Sequence, residues 1–310
     1  MAEQSRIEWT DTTWNVVTGC TKVSPGCDRC YAETFAERWR GIPGHHFTTG
    51  FDLTLRPERL GLPLRWRRPR RIFVNSMADL FHDQVPDGYI ASVFAVMAAT
   101  VRHTFQVLTK RHARMRSLLT SPAFRNLVTR EYQAIAGEGV DTNEGTDPGR
   151  VWPLPNVWLG VSVETQQWAD IRLPALAQTP AVLRFTSCEP LLGPLDLSTW
   201  LRLEFAEHGS WVTTRTDRDE QGLGLDWLII GGESGHAARP VDEWWFGDLI
   251  DQADAAGIPV FVKQLGTAWD RQHGHPGKAD NPAHWPTGLR IRHLPRQTSP
   301  AGGGPLGGGW

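Results

Sequence analysis

Cysteine is scarce in this chain, tyrosine scarcer still, and neither sign of charge prevails. Four cysteines among 310 residues cannot staple a disulfide scaffold, and three of them crowd between positions 20 and 30, leaving an odd thiol in any pairing. Lysine plus arginine (32) nearly balances aspartate plus glutamate (34), so the net charge of −2 makes no global demand for a polyanionic partner. Long hydrophobic runs are missing too. The longest, such as Ala95–Val101 and Leu225–Ile230, fall far short of the ~20 residues that span a bilayer. The opening MAEQSRIEWTDTTWN lacks a basic stretch followed by an apolar one, so no secretory signal is expected. These absences predict a cytoplasmic protein with no membrane partner. In that reducing setting clustered thiols point to metal or redox chemistry.

What is present is apolar and rich in tryptophan: 40% hydrophobic residues and 15 Trp, enough for a packed core. Seven short runs rich in Val, Ile and Phe, without polar alternation, suit strands buried on both faces: Thr13–Val17, Arg71–Asn75, Thr104–Leu108, Asn156–Val163, Ala181–Thr186, Trp227–Ile230 and Pro259–Val262. Between them, helices are predicted over Cys30–Arg40, Asp87–Val101, Arg111–Leu119, Thr165–Ala177 and Asp242–Ala256. This alternation predicts an α/β fold with a partial or full parallel (β/α) barrel over residues 1–296. Glu131–Pro155 and Glu204–Gly224 read as surface insertions, and 297–310 as a flexible Gly-rich tail. Polar residues follow most strands, at the edge of a parallel barrel where chemistry collects.

The strongest chemical signal is Cys20-TKVSPG-Cys27-DR-Cys30, which leads from the first strand into the first helix. Thiolates suit zinc and iron–sulfur clusters, and Pro25-Gly26 can fold the spacer back so that the three thiols face one centre. Three readings remain open: an open iron–sulfur cluster, a zinc site completed by Cys188 or a histidine, and three unligated thiols. Glu164 and Glu189, after the fourth and fifth strands, are candidate catalytic carboxylates; salt bridges to Arg172, Arg184 or Arg239 are their structural alternative. Ser162 is a candidate cofactor contact beside them. Gly231 and Gly232 would let backbone approach a ligand closely or make a tight turn. Arg56–Arg71 carries seven Arg against one Glu around Trp66; Arg65, Trp66, Arg67 and Arg68 are candidate nucleic-acid contacts.

The stretch running from Glu8-WTDTTWN through Gly19-Cys20 and Gly26-Cys27-DR-Cys30-Tyr31-Ala32 resembles the radical S-adenosylmethionine superfamily, near its spore photoproduct lyase-like branch. More closely, the blocks GCDRCYAE, FVNSMADLF, VLTKR, PNVWLGVSVE, RFTSCEPLLGPL, WLIIGGESG and PVFVKQLG resemble a phage and bacterial three-cysteine-motif family, often encoded beside a three-Cys-motif partner protein. The first spacer, six residues where the superfamily usually has three, departs from its pattern, and Arg29 stands where an aromatic is usual. The resemblance implies a barrel of the radical S-adenosylmethionine type. Cys20, Cys27 and Cys30 would hold a 4Fe–4S cluster whose open iron chelates S-adenosylmethionine, giving a 5′-deoxyadenosyl radical. It further implies that Ser76 and Asp79 contact the methionine moiety, and that nucleic acid and a three-Cys-motif partner are the expected partners.

Overall fold

The computed structural model describes residues 5, 7–137, 145–201, 203–205, 211–213 and 224–295. The expected strands form as β1 (Thr12–Trp14), β2 (Arg71–Val74), β3 (Thr104–Thr109), β4 (Val157–Ser162), β5 (Leu183–Cys188), β6 (Trp227–Gly231) and β7 (Val260–Gln264). They build one sheet in chain order, every neighbouring pair parallel, with β1 and β7 at its edges. The sheet curls into a half-barrel, the open form of the predicted architecture. Residues 291–293 protect the β7 edge, where the Val262 amide donates to the Ile291 carbonyl and the His293 amide to that of Val260.

The absence of alternation has its cause in two separate cores. Ile72, Val74, Phe105, Val107, Leu159 and Val161 point outward into the helix layer. Trp9, Phe73, Trp158, Phe185, Trp227 and Phe261 point inward and fill the hollow of the half-barrel. Trp227, fully buried, is the hub: its ring meets Trp9, Trp158, Phe185 and Phe261, and its indole N–H donates to the His293 carbonyl at 3.0 Å. Each such side chain contributes on the order of 2–3 kcal/mol of burial. Three of the 15 tryptophans, Trp9, Trp158 and Trp227, therefore form the floor of the barrel. That floor seals the amino end and leaves polar residues to line the carboxyl end.

Helices α1 (Tyr31–Glu37), α2 (Asp87–Ala99), α3 (His112–Leu119), α4 (Pro122–Gly137), α5 (Gln166–Ala177) and α6 (Glu243–Ala255) follow the strands, and α7 (Thr267–Gln272) follows β7. The insertion expected from Glu131 therefore begins later, because Glu131–Gly137 completes α4 against α2. Phe124, Leu127, Val128, Tyr132 and Ile135 are the periodic apolar face that makes it a helix. Within the second expected insertion, Leu203–Phe205 and Trp211–Thr213 pair as an antiparallel ribbon. Much of the remainder of that segment, and the tail from 297, lie outside the described residues. Among the described residues no helix is long and apolar enough to cross a membrane.

Candidate functional site at the carboxyl edge of the half-barrel

The loop that carries the cysteines is set by cross-bracing between β1 and β2. Asn75 leaves β2 with φ 60°, a left-handed conformation that Asn tolerates, and its Oδ1 accepts from the Val16 amide at 2.9 Å and the Val17 amide at 3.1 Å. Asn15 Oδ1 in turn accepts from Ser76 Oγ and the Met77 amide, both at 3.2 Å. Gly19 has φ +84° and a side chain there would meet the Asp52 carbonyl at 2.2 Å, so only glycine passes. Beyond it come Cys20, a 3₁₀ turn over Pro25–Cys27, and Cys30 as the N-cap residue of α1.

This loop lies across the carboxyl edge of the sheet and is tethered to successive strand ends. Tyr31 Oη donates to the Ser76 carbonyl after β2 at 2.6 Å. Arg111 after β3 donates to Thr21 Oγ1 at 2.7 Å, and Thr21 Oγ1 also meets His82 Nε2 at 3.0 Å. The Gly26 amide donates to Glu164 after β4 at 3.4 Å, and Arg239, in the connection after β6, donates to the Pro25 carbonyl at 2.9 Å. Cys20, Cys27 and Cys30 are all free and partly exposed. Burial, and then the nearby Asp79 and Cys27 charges, push the Cys20 thiol up to about 11 against the opposing pull of Arg111.

The other expected site residues fall around this loop in different roles. Cys188 points the other way: its neighbour Ser187 follows Phe185 on the inner face, so Cys188 lies in the outer core, fully buried, its thiol pushed up to about 12 by desolvation. Its burial among apolar side chains suits a core thiol, the plainer of the two roles open to it. Asp79 is buried with both oxygens occupied: it accepts from Thr109 Oγ1 at 2.7 and 2.9 Å, the Lys110 amide at 2.9 Å and the Phe81 amide at 3.0 Å. It ties the β2 and β3 ends together. Ser76 offers its carbonyl to Tyr31, and Ser162 is buried on the inner face at the end of β4.

Of the two carboxylates, Glu164 meets its structural alternative. It is fully buried, pairs with Arg172 Nη1 at 2.8 Å, and faces the Gly26 amide with its other oxygen. Glu189 stays partly exposed and holds Lys263 Nζ at 2.6 Å, with Gln264 Nε2 at 3.3 Å. Gly231 makes room for it, since a Cβ there would stand 3.1 Å from the Glu189 chain. At Gly232 a Cβ would lie 2.2 Å from the Leu265 carbonyl, so the close approach is to backbone. The exposed Arg65, Arg67 and Arg68 precede β2, at the opposite, amino edge of the sheet. Trp66 is half-buried against the outer core, beneath Arg70 at 5.1 Å.

Sequence reasoning missed the tether made by Tyr31 and the site role of Arg172. Tyr31 carried no signal beyond its neighbours. Arg172 sits on α5 eight residues beyond Glu164, a separation at which only the turn from β4 into the helix brings them together.

A model of the family described as a protein of unknown function, DUF5131, matches residues 4–297, which includes every element of the half-barrel and the cysteine loop. The chain belongs to the DUF5131 family. No curated protein and no solved structure matches it.

Among the described residues of this DUF5131 chain, no three Cys, His, Asp or Glu side chains gather closely enough to hold one metal ion. A tetrahedral zinc with bonds of about 2.3 Å needs its sulfurs about 4 Å apart, whereas a cluster spreads its thiolates around a body of several atoms. Three free thiols on one loop are a donor set whose chemistry suits either kind of centre. Buried polar atoms without partners include Arg172 Nε and Nη2, Asn75 Nδ2, Ser24 Oγ and Gln264 Oε1, alongside others elsewhere in the fold.

Proposed function

We propose that this protein is a radical S-adenosylmethionine enzyme acting on nucleic acid in repair or modification, with Cys20, Cys27 and Cys30 holding a 4Fe–4S cluster. The observation that carries this reading is the three-thiol loop laid across the carboxyl edge of a half-barrel while the fourth cysteine faces away. Three thiolates leave one cluster position without a protein thiolate, which is where a chelating cofactor can bind. When bound, the cluster and S-adenosylmethionine supply one-electron cleavage of a C–S bond.

The chain's own residues bind, orient and exclude water. The free N–H groups of Arg172, with Ser162 and Ser76 nearby along the edge, suit the polar end of the cofactor. Glu189 Oε1 and Lys263 Nζ, 2.6 Å apart, can take up or return a proton within a neutral pair. Beneath them the aromatic floor around Trp227 keeps water from the amino side. The exposed Arg65, Arg67 and Arg68 are the proposed phosphate contacts, and a three-Cys-motif protein is the proposed partner, in a reducing cytoplasm.

Anaerobic reconstitution is expected to give about four irons and four sulfides per chain. Substituting any loop cysteine with alanine should abolish loading, whereas Cys188→Ala should retain it. Reduction with S-adenosylmethionine should release 5′-deoxyadenosine. A fully assembled cluster that never cleaves the cofactor would overturn the reading, and a single tightly bound zinc would favour a non-enzymatic nucleic-acid or partner-binding module.

A further inference from the structure

The six residues between Cys20 and Cys27 are too many to be ordered by the cysteines alone. Ordering them costs conformational entropy unless other groups hold them. Their Cys27 end is gripped at the Pro25 carbonyl from the connection after β6. Glu233, only 5% exposed, accepts from the Arg239 amide at 2.8 Å and from Arg239 Nε at 2.9 Å, and its other oxygen accepts from Arg239 Nη2. That locks the guanidinium fork in one orientation. In this orientation Nη2 also donates to the Pro25 carbonyl at 2.9 Å, and Nη1 stands 3.7 Å from Asp28 Oδ2. Arg29 adds a second arm, reaching Glu233 Oε2 at 3.4 Å and the Ala237 carbonyl. Pro25 and Asp28 flank Gly26 and Cys27, so the grip closes around one cysteine. From the β4 side, Glu164 faces the Gly26 amide while Arg172 fixes Glu164 from within.

We infer that Glu233 and Arg239 are positioning residues that hold Cys27 in the thiol set, the carboxylate orienting the arginine and the arginine fixing the Pro25–Cys27 turn. The inference rests on the cysteine loop being the working site. The electrostatics agree with the geometry. Burial alone would raise the Glu233 carboxyl, but the hydrogen bonds and charge of Arg239, and the charge of Arg29, hold it below its ordinary value. Arg239 is raised, chiefly by its hydrogen bonds to Glu233. Cys20 is held separately, through Thr21 and Arg111, so the two ends of the spacer have independent anchors.

The test uses the 310-residue chain, metal-free and reduced, with N-ethylmaleimide as the probe at fixed pH and the modified sites resolved by mass spectrometry. Arg239→Met and Glu233→Gln should raise the labelling rate of Cys27 about tenfold, the order expected for loss of a charge-assisted hydrogen bond. Cys20 should change little and Cys188 should stay unlabelled. Arg239→Lys keeps the charge without the fork and should give an intermediate rate; full restoration by lysine would overturn the oriented grip. Cys20, Cys27 and Cys188 rising together would mean general loosening and would overturn the inference, as would no change at Cys27. Arg239→Lys and Glu233→Gln keep the experiment decisive if Arg239→Met fails to fold. Labelling needs no metal, so iron content measured in parallel separates failure of this grip from failure of the cluster reading.

Discussion

Glu164, Glu189 and Glu233 each stand at the end of a strand and each meets a cation, yet the environment gives them different work. Glu164 is sealed with Arg172, Glu189 keeps an exposed side beside Lys263, and Glu233 orients Arg239 toward the cysteine loop. Glu164 and Glu189 were legible as candidates in the sequence, and Arg172 as one of three arginines that could pair with them. Which arginine Glu164 meets, and that Glu189 meets Lys263 instead, was not, because those partners come from other elements. Glu233 carries a pH signature. Its folded value lies below the 4.5 of a free glutamate, so its contribution to stability is fully present above that value and is lost as pH falls through the folded one. Glu233→Gln should therefore lower stability at neutral pH and flatten the acid limb, as followed by chemical denaturation between pH 7 and 3. An unchanged acid limb would count against this pairing.

At the level of elements, strand alternation decided what composition could not. The sequence ends its fifth strand at Thr186, just short of Cys188; the structure carries β5 on to Cys188, and its phase, with Phe185 and Ser187 inward, turns the thiol toward the outer core. The Gly231-Gly232-Glu233 sequence at the end of β6 shows the same limit. Its first glycine clears Glu189 and its second lets the β6 and β7 ends touch, a contact between segments about 30 residues apart. Gly232→Ala should cost about 2–3 kcal/mol in denaturant unfolding, because the backbone of Leu265 cannot yield as a side chain could. Gly231→Ala meets only the flexible Glu189 chain and should cost less, showing itself instead in the Glu189–Lys263 contact. Helix α4 was hidden by the acidic, glycine-rich residues beyond it, although its apolar spacing from Phe124 to Ile135 is regular.

Across the whole molecule the half-barrel has a polarity: an aromatic floor, a thiol loop at the carboxyl edge, and the arginine-rich approach to β2 at the amino edge. If the arginines bind phosphate, they do so a full strand length from the thiols. Changing Arg65, Arg67 and Arg68 together to glutamate should weaken nucleic-acid binding and reduce its salt dependence by about one unit of slope per lost phosphate contact. Metal content should not change. Binding that keeps its affinity and salt slope would exclude this segment as the contact.

The sequence by itself determined the order of strands and helices, the two-sided burial of the sheet and the crowding of three thiols after β1, because these depend on local pattern and spacing. Only the tertiary structure decided that the barrel stays open, that Cys188 stands apart, and that Glu164 and Glu233 serve the cysteine loop. Those outcomes depend on the curl of the sheet and the phase of each strand. They bring together groups as much as 214 residues apart, as with the Arg239 side chain and the Pro25 carbonyl, and no local pattern encodes such a meeting.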